Sequence, residues 1–189
     1  MKRTDHLERT LGNWMRARLP VALAEFLMFG LKMGWAALFG GLMLGAIILS
    51  GAVWPEGAAI ARYDALFVFA VLTQAAFLFF RLETTDEAKV ILLFHLTGTV
   101  MEWFKVSAGS WAYPEPALLK VMGVPLFSGF MYASVGSFIA RVMRIFQMTF
   151  APYPPFPATV LLAGAIYLNF FSHHFLPDIR WLLIAATVV

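Results

Sequence analysis

Long apolar runs leave a chain few ways to fold, and this chain has five of them, at about residues 33–53, 64–82, 88–106, 118–140 and 157–176. A hydrocarbon core roughly 30 Å thick takes about 20 helical residues to cross. Inside it the backbone must satisfy its own hydrogen bonds, which selects helices. The expectation is an all-α, polytopic transmembrane helical bundle with five full spans. A further run, WLLIAATVV from Trp181, is too short to cross and reads as a truncated sixth. Hydrophobic residues make up 61% of the chain and charged ones 13%, against roughly 45–50% and 25% in soluble domains. That balance excludes an ordinary soluble enzyme, and no nucleic-acid module is present. The absence of cysteine removes disulfides and thiolate ligands.

Charge sets the expected orientation. Lys2, Arg3, Arg9, Arg16 and Arg18 crowd residues 1–18, a basic cytoplasmic N-terminal segment ahead of a transmembrane domain over 19–189. Residues 19–32 carry Glu25 and Lys32 and read as an interfacial lead-in. With the N-terminus cytoplasmic, Lys32, Arg81, Lys89, Arg141 and Arg144 join the first five, giving ten basic residues inside. Arg62, Lys105, Lys120 and Arg180 make four outside, as the positive-inside rule prefers. The run after the basic segment is too long for a cleaved signal. The expected location is the inner or plasma membrane, multi-pass, with the lipid bilayer as partner.

Several features have structural explanations. Gly30-xxx-Gly34, Gly41-xxx-Gly45 and Gly129-xxx-Ala133-xxx-Ser137 are small-residue ladders that let helices approach closely. Thr84-Thr85-Asp86-Glu87 has the form of a capping box. Trp54, Tyr63 and Trp181 fall at expected membrane interfaces, and Pro125 is placed to kink the fourth span. Gln74 and Tyr132 are suited to interhelical hydrogen bonds.

Other residues do not belong in lipid. In KVILLFHLTGTVMEWFKV, His95, Gly98, Thr99 and Glu102 fall on one helical face, with Lys105 at its edge. An acid near a helix centre costs about 2.5–3.5 kcal/mol on insertion scales, so this stripe points into the bundle. Glu102 and Lys105 have the spacing of a structural ion pair, and Glu102 alone has the setting of a buried proton donor. In IYLNFFSHHFLPDIR, Asn169 and His173 share a face, Tyr167 and His174 an adjacent one, and Pro177 ends the helix before Asp178. With an N-in topology, Glu102, His173, His174, Asp178, Trp111 and Tyr113 converge on one side of the membrane. His173, His174, Asp178 and Glu102 have donor atoms suited to a metal, but the H-x-x-x-H spacing is absent, and no residue is assigned as a ligand.

RYDALF, FHLTGTVMEWFK, GSWAYPE, GVPLFSGFMYASVGSFI, IYLNFFSHH and DIR resemble the YoaT-like bacterial membrane proteins, the family of domain of unknown function 817, from about residue 25 onward. The resemblance implies a polytopic inner-membrane protein whose relatives continue past the end of this chain, and it implies no activity. A second likeness is to membrane-bound carotenoid cyclases and hydratases, through an acidic helix residue, G-x-W-x-Y and then G-V-P-L. Here Phe127 and Ser128 stand where those cyclases carry paired glutamates.

The leading expectation is a membrane-embedded enzyme acting on a lipophilic, isoprenoid-like small molecule. Glu102 would serve as general acid and His173 or His174 as base. His95, Thr99, Lys105, Trp111, Tyr113, Tyr132, Asn169 and Asp178 would line the substrate site, with aromatic faces steadying positive charge. No cofactor is identified. The alternatives are a transporter or channel, which calls for broken helices and inverted repeats, and a non-catalytic scaffold or accessory subunit.

Overall fold

The computed structural model of the chain describes residues 2–188, and for residues 2–5 and 7 the backbone alone. Its helices are α1 Lys2–Arg18, α2 Val21–Ala36, α3 Leu38–Val53, α4 Arg62–Phe79, α5 Thr85–Ser107, α6 Phe127–Ile145, α7 Phe156–Ser172 and α8 Arg180–Val188. A two-stranded hairpin, β1 Lys120–Val121 and β2 Val124–Pro125, lies between α5 and α6. The helical class is as expected. The chain divides into two compact units, Met1–Met148 and Thr149–Val189.

In the first unit α3 to α6 pack as an up-and-down bundle. Gly40 meets Ser134 and Phe94 meets Gly136, so α3 and α5 both run antiparallel to α6. Tyr63 stacks near Phe127 and Phe77 lies under the Arg141 guanidinium, so α4 runs parallel to α6. Phe39, Met43, Ala70, Phe77, Ile91, Phe130 and Ala133 fill the centre. We call the end that carries residues 54–61 and 108–126 the loop end, and the opposite one, at the 80–84 turn, the turn end. At the turn end the expected capping box forms: Thr84 Oγ1 accepts from Glu87 N at 3.2 Å and Glu87 Oε2 from Thr84 N at 2.7 Å.

The structure corrects several expectations. Among the described residues only α4 and α5 are single helices long and apolar enough to cross a membrane, or three spans if the bent α2–α3 pair counts as one. The first expected span is broken, because α2 and α3 meet at 66°. The fourth begins as a hairpin and becomes helical only at Phe127, so Pro125 closes β2 and kinks no helix. The fifth is α7, with 17 residues. Of the glycine ladders, Gly30, Gly34, Gly41 and Gly45 face open space. The close approaches are at Gly98, Gly129 and Gly136, where an added Cβ would lie under 3.0 Å from a neighbouring side chain. Tyr63 is a core residue packed between Tyr113 and Phe127, and not an interfacial anchor.

In the second unit α7 and α8 are joined by a turn that Asn169 organises. Its Nδ2 donates to Asp178 Oδ1 at 3.0 Å, and its Oδ1 accepts from Ile179 N at 3.0 Å.

Candidate functional site

Helix α5 ends in a Schellman motif. Ser110 N bonds Lys105 O at 2.9 Å and Gly109 N bonds Val106 O at 3.1 Å. Gly109 supplies the positive φ of 69° that this ending requires. The reversal folds the next residues back over the last turns of α5, and they land on Glu102. Trp111 Nε1 donates to Glu102 Oε2 at 2.9 Å and the Tyr113 hydroxyl to the same oxygen at 2.7 Å. From α6, the Tyr132 hydroxyl donates to Oε1 at 2.7 Å. The carboxyl is 2% exposed.

The expected stripe of α5 is real, and its members have different tasks. Gly98 gives Tyr132 room, since a Cβ there would lie 2.4 Å from the Tyr132 ring. Thr99 and His95 pack against Gly129, whose added Cβ would meet them at 2.4 and 2.6 Å. Thr99 also returns its hydroxyl proton to His95 O at 2.8 Å. The His95 ring sits 4.4 Å from that of Phe130. Lys105 is buried one turn beyond Glu102. The donors from Trp111, Tyr113 and Tyr132 to Glu102 are neutral groups.

Covering the carboxylate, the 108–126 segment is tied to the bundle from several directions. Arg62 grips Glu115 through Nε at 2.8 Å and Nη2 at 2.5 Å. Asp64 accepts from the backbone of Leu118 and Leu119, each at 2.8 Å. Lys120 Nζ donates to Tyr113 O at 2.5 Å and Glu115 O at 3.2 Å. Trp103 Nε1 reaches Val121 O at 3.0 Å. Between the short strands, Met122 and Gly123 take positive φ of 51° and 81°, as a two-residue hairpin turn requires. The hydrogen bond from Arg62 holds the Glu115 carboxyl below the usual range. Burial, and then the Glu102 carboxylate, push the Tyr113 hydroxyl up.

A second buried carboxylate lies at the turn end. Glu83 Oε1 accepts from Ser137 Oγ at 2.7 Å and Arg141 Nε at 3.2 Å, and Oε2 from Gln74 Nε2 at 2.5 Å. Arg141 is 0% exposed, lies 4.5 Å over the Phe77 ring, and donates through Nη1 to Trp35 O at 3.1 Å. Sequence reasoning missed both members. It counted Arg141 as a flank charge and passed over Glu83.

Asn169, His173, His174 and Asp178 belong to the second unit. His173 caps α7, its Nδ1 stands 3.1 Å from Asn169 O, and the two imidazole rings lie 4.1 Å apart. Asp178 takes bonds from Asn169 Nδ2 and from Arg180 N, the latter at 2.9 Å, so it serves the turn. Among the described residues no three His, Asp or Glu side chains come together as metal ligands do.

The sequence matches, over residues 25–189, the family described as protein of unknown function DUF817. It is 42% identical over 168 residues to the uncharacterized protein YoaT of Bacillus subtilis (strain 168), covering 89% of this chain and 63% of that protein. The chain therefore spans less than two thirds of that relative's length. No solved structure matches.

Proposed function

The chain belongs to the DUF817 family, proteins of unknown function, and from that premise we propose a multi-pass membrane protein whose first unit performs acid–base chemistry on a lipophilic, isoprenoid-like substrate. The membrane reading rests on α5, which is amphipathic the wrong way round for water. Its buried stripe is Gly98, Thr99, Glu102 and Lys105, while Leu92, Leu93, Leu96 and Val100 face outward. In water such an apolar face would be costly, at about 25 cal/mol for each Å² left exposed; lipid removes that cost. On this reading α4, α5 and the bent α2–α3 pair cross, with the basic N-terminus cytoplasmic.

The observation that carries the chemistry is Glu102, a buried carboxyl group on which Trp111, Tyr113 and Tyr132 converge. In this reading it is the general acid, the role that its place in the sequence suggests. Glu102 gives its proton to one carbon of a substrate double bond and takes a proton from the carbon next to the cation so formed. The lipid leaves isomerised, with no change in oxidation state and no co-reactant. Tyr113 and Tyr132 hold the carboxylate in place, and the ring faces of Trp111, Tyr113 and Tyr132 favour developing positive charge, each by up to about 2 kcal/mol when desolvated.

The test compares lipid extracts from cells expressing wild type, Glu102→Gln or an empty vector. The wild type should alter the isoprenoid profile and the variant, present at equal level, should match the vector. A profile still altered by Glu102→Gln removes the role of Glu102, and a wild type identical to the vector removes the enzyme.

The 66° break at Ala37 favours a second reading, a transporter, since transport sites are commonly built at interrupted helices. Solute flux into proteoliposomes that is lost in Glu102→Gln, with lipids unchanged, would favour it instead.

A further inference from the structure

Helix α1 is charged, helix α2 is apolar, and the two are clamped together. They run antiparallel: Glu8 pairs with Lys32 at 2.6 Å, an added Cβ on Gly12 would lie 3.7 Å from Met28, and Arg16 pairs with Glu25 at 2.7 Å. Glu25, Met28 and Lys32 stand at i, i+3 and i+7, so one face of α2 is given to α1. Leu23, Phe26, Leu27 and Gly30 hold the opposite face, about 180° round the helix. That face is open: Leu23 is 44% exposed, Phe26 70% and Leu27 38%, and an added Cβ on Gly30 or Gly34 would meet nothing within 4 Å. Residues 2–36 hold six of the chain's 14 basic residues and three of its 11 acidic ones, so this hairpin carries the whole net charge of +3.

We infer that α1 and α2 form a hairpin that docks on an anionic bilayer surface, with Leu23, Phe26 and Leu27 among the upper acyl chains and the cations of α1 at the lipid phosphates. This rests on the membrane part of the proposed function and is independent of the chemistry at Glu102. Seven of the 17 residues of α1 are charged, which keeps it out of hydrocarbon. Because α2 is fastened along α1, it stays at the surface too. The chain then turns by 66° at Ala37, and α3, which has no charged residue, supplies the descent. The bent pair thus crosses with α2 as its shallow limb. This limb lies at the turn end, where the Phe29 ring is 5.7 Å from that of Phe146 and Lys32 Nζ is 5.6 Å from it. With the N-terminus cytoplasmic, that end meets the leaflet whose lipids are anionic. Trp14 is exposed on α1 with the Arg18 guanidinium 4.9 Å over its ring, an aromatic and a cation suited to headgroup depth. A second copy of the hairpin would bring like charge against like, whereas lipid phosphates bring the opposite charge.

The test uses the 189-residue chain in nanodiscs of phosphatidylcholine mixed with phosphatidylglycerol in equal parts. The chain has no cysteine, so Phe26→Cys, Asn13→Cys and Leu96→Cys each take one spin label, and all three positions are exposed. Accessibility to oxygen against a water-soluble nickel chelate reads the depth of each label. The label at position 26 should lie about 5–10 Å below the phosphates, that at position 13 in the headgroup or water layer, and that at position 96, midway along α5, near the bilayer centre. Spin-labelled phosphatidylglycerol should associate with the unlabelled chain roughly fivefold more tightly than spin-labelled phosphatidylcholine, the effect of one cation at an anionic surface. Arg9→Gln together with Arg18→Gln should remove most of that preference. A label at position 26 that is open to the chelate, as deep as that at position 96, or shielded from both reagents overturns the inference. So does equal association of the two lipids, or a preference that the double variant keeps. Position 96 in lipid with position 26 in water ends the docking and keeps the membrane protein; position 96 in water ends both.

Discussion

Glu83 and Glu102, the two most deeply buried carboxylates among the described residues, lie in the same four-helix arrangement and are treated differently. At the turn end Glu83 meets a guanidinium, a hydroxyl and an amide, and its charge is cancelled where it sits. At the loop end Glu102 meets an indole and two phenols, which fix the direction of its carboxyl group. Burying two opposite charges as a pair is a costly but closed solution. Neutral donors orient a carboxyl group without supplying the opposite charge that a guanidinium brings. On the proposed function, the contrast separates a group that holds the bundle together from a group that does chemistry, although both are glutamates under a tenth exposed.

Breaking the turn-end pair should have the largest effect. Arg141→Met strands Glu83 and should cost about 3–5 kcal/mol, read as denaturant unfolding in detergent. The double variant Glu83→Gln with Arg141→Met should regain most of it. If Arg141→Met unfolds no more easily than Glu102→Gln, the two ends do not differ as described. Next come Tyr113→Phe and Tyr132→Phe, each removing a bond to a charged acceptor worth about 1.5–3 kcal/mol. Ser137→Ala should cost less, near 1 kcal/mol, because Arg141 still faces Glu83; a larger loss there than at the tyrosines would reverse the comparison. Gly98→Ala should cost about 1–3 kcal/mol by overpacking against Tyr132. Unfolding in detergent at the wild-type denaturant concentration would mean that α5 and α6 are not in contact there.

The smallest effect lies outside both ends. In the second unit the bond from Asn169, then that from the Arg180 backbone, hold the Asp178 carboxyl down at about 2. A depressed acid stabilises the folded turn above its unfolded value of about 4 and loses that contribution as pH falls through 2. The Arg180 amide resonance should therefore titrate with a midpoint near 2, and Asn169→Ala should move the midpoint upward. A wild-type midpoint near 4 would mean that the turn does not hold Asp178 this way.

Local chemistry was legible in the sequence and distant chemistry was not. The capping box at Thr84 and Glu87 is written in four adjacent residues, and it forms. The buried stripe of α5 follows from helical periodicity, and Gly98, Thr99, Glu102 and Lys105 are all buried. The break at Ala37 carries no proline to announce it, and Arg141, about a hundred residues away, supplies the donor to the carbonyl at Trp35. Glu83 and Arg141 are 58 residues apart, so their pairing exists only once α4 to α6 have packed. The same holds for Asp64, whose partners are backbone amides of a loop 54 and 55 residues on. Apolar length misled in the other direction: it counted residues 118–140 as a span although Met122 and Gly123 reverse the chain there.

The 108–126 segment has a consequence for traffic. Arg62, Asp64, Lys120 and Trp103 fasten it at both margins and in the middle, so it makes a poor door. The seam between α5 and α6 is shut as firmly, since Gly98, Gly129 and Gly136 leave no room there even for a methyl group. On the proposed function, Glu102 stays out of a substrate's reach until one of these two coverings parts.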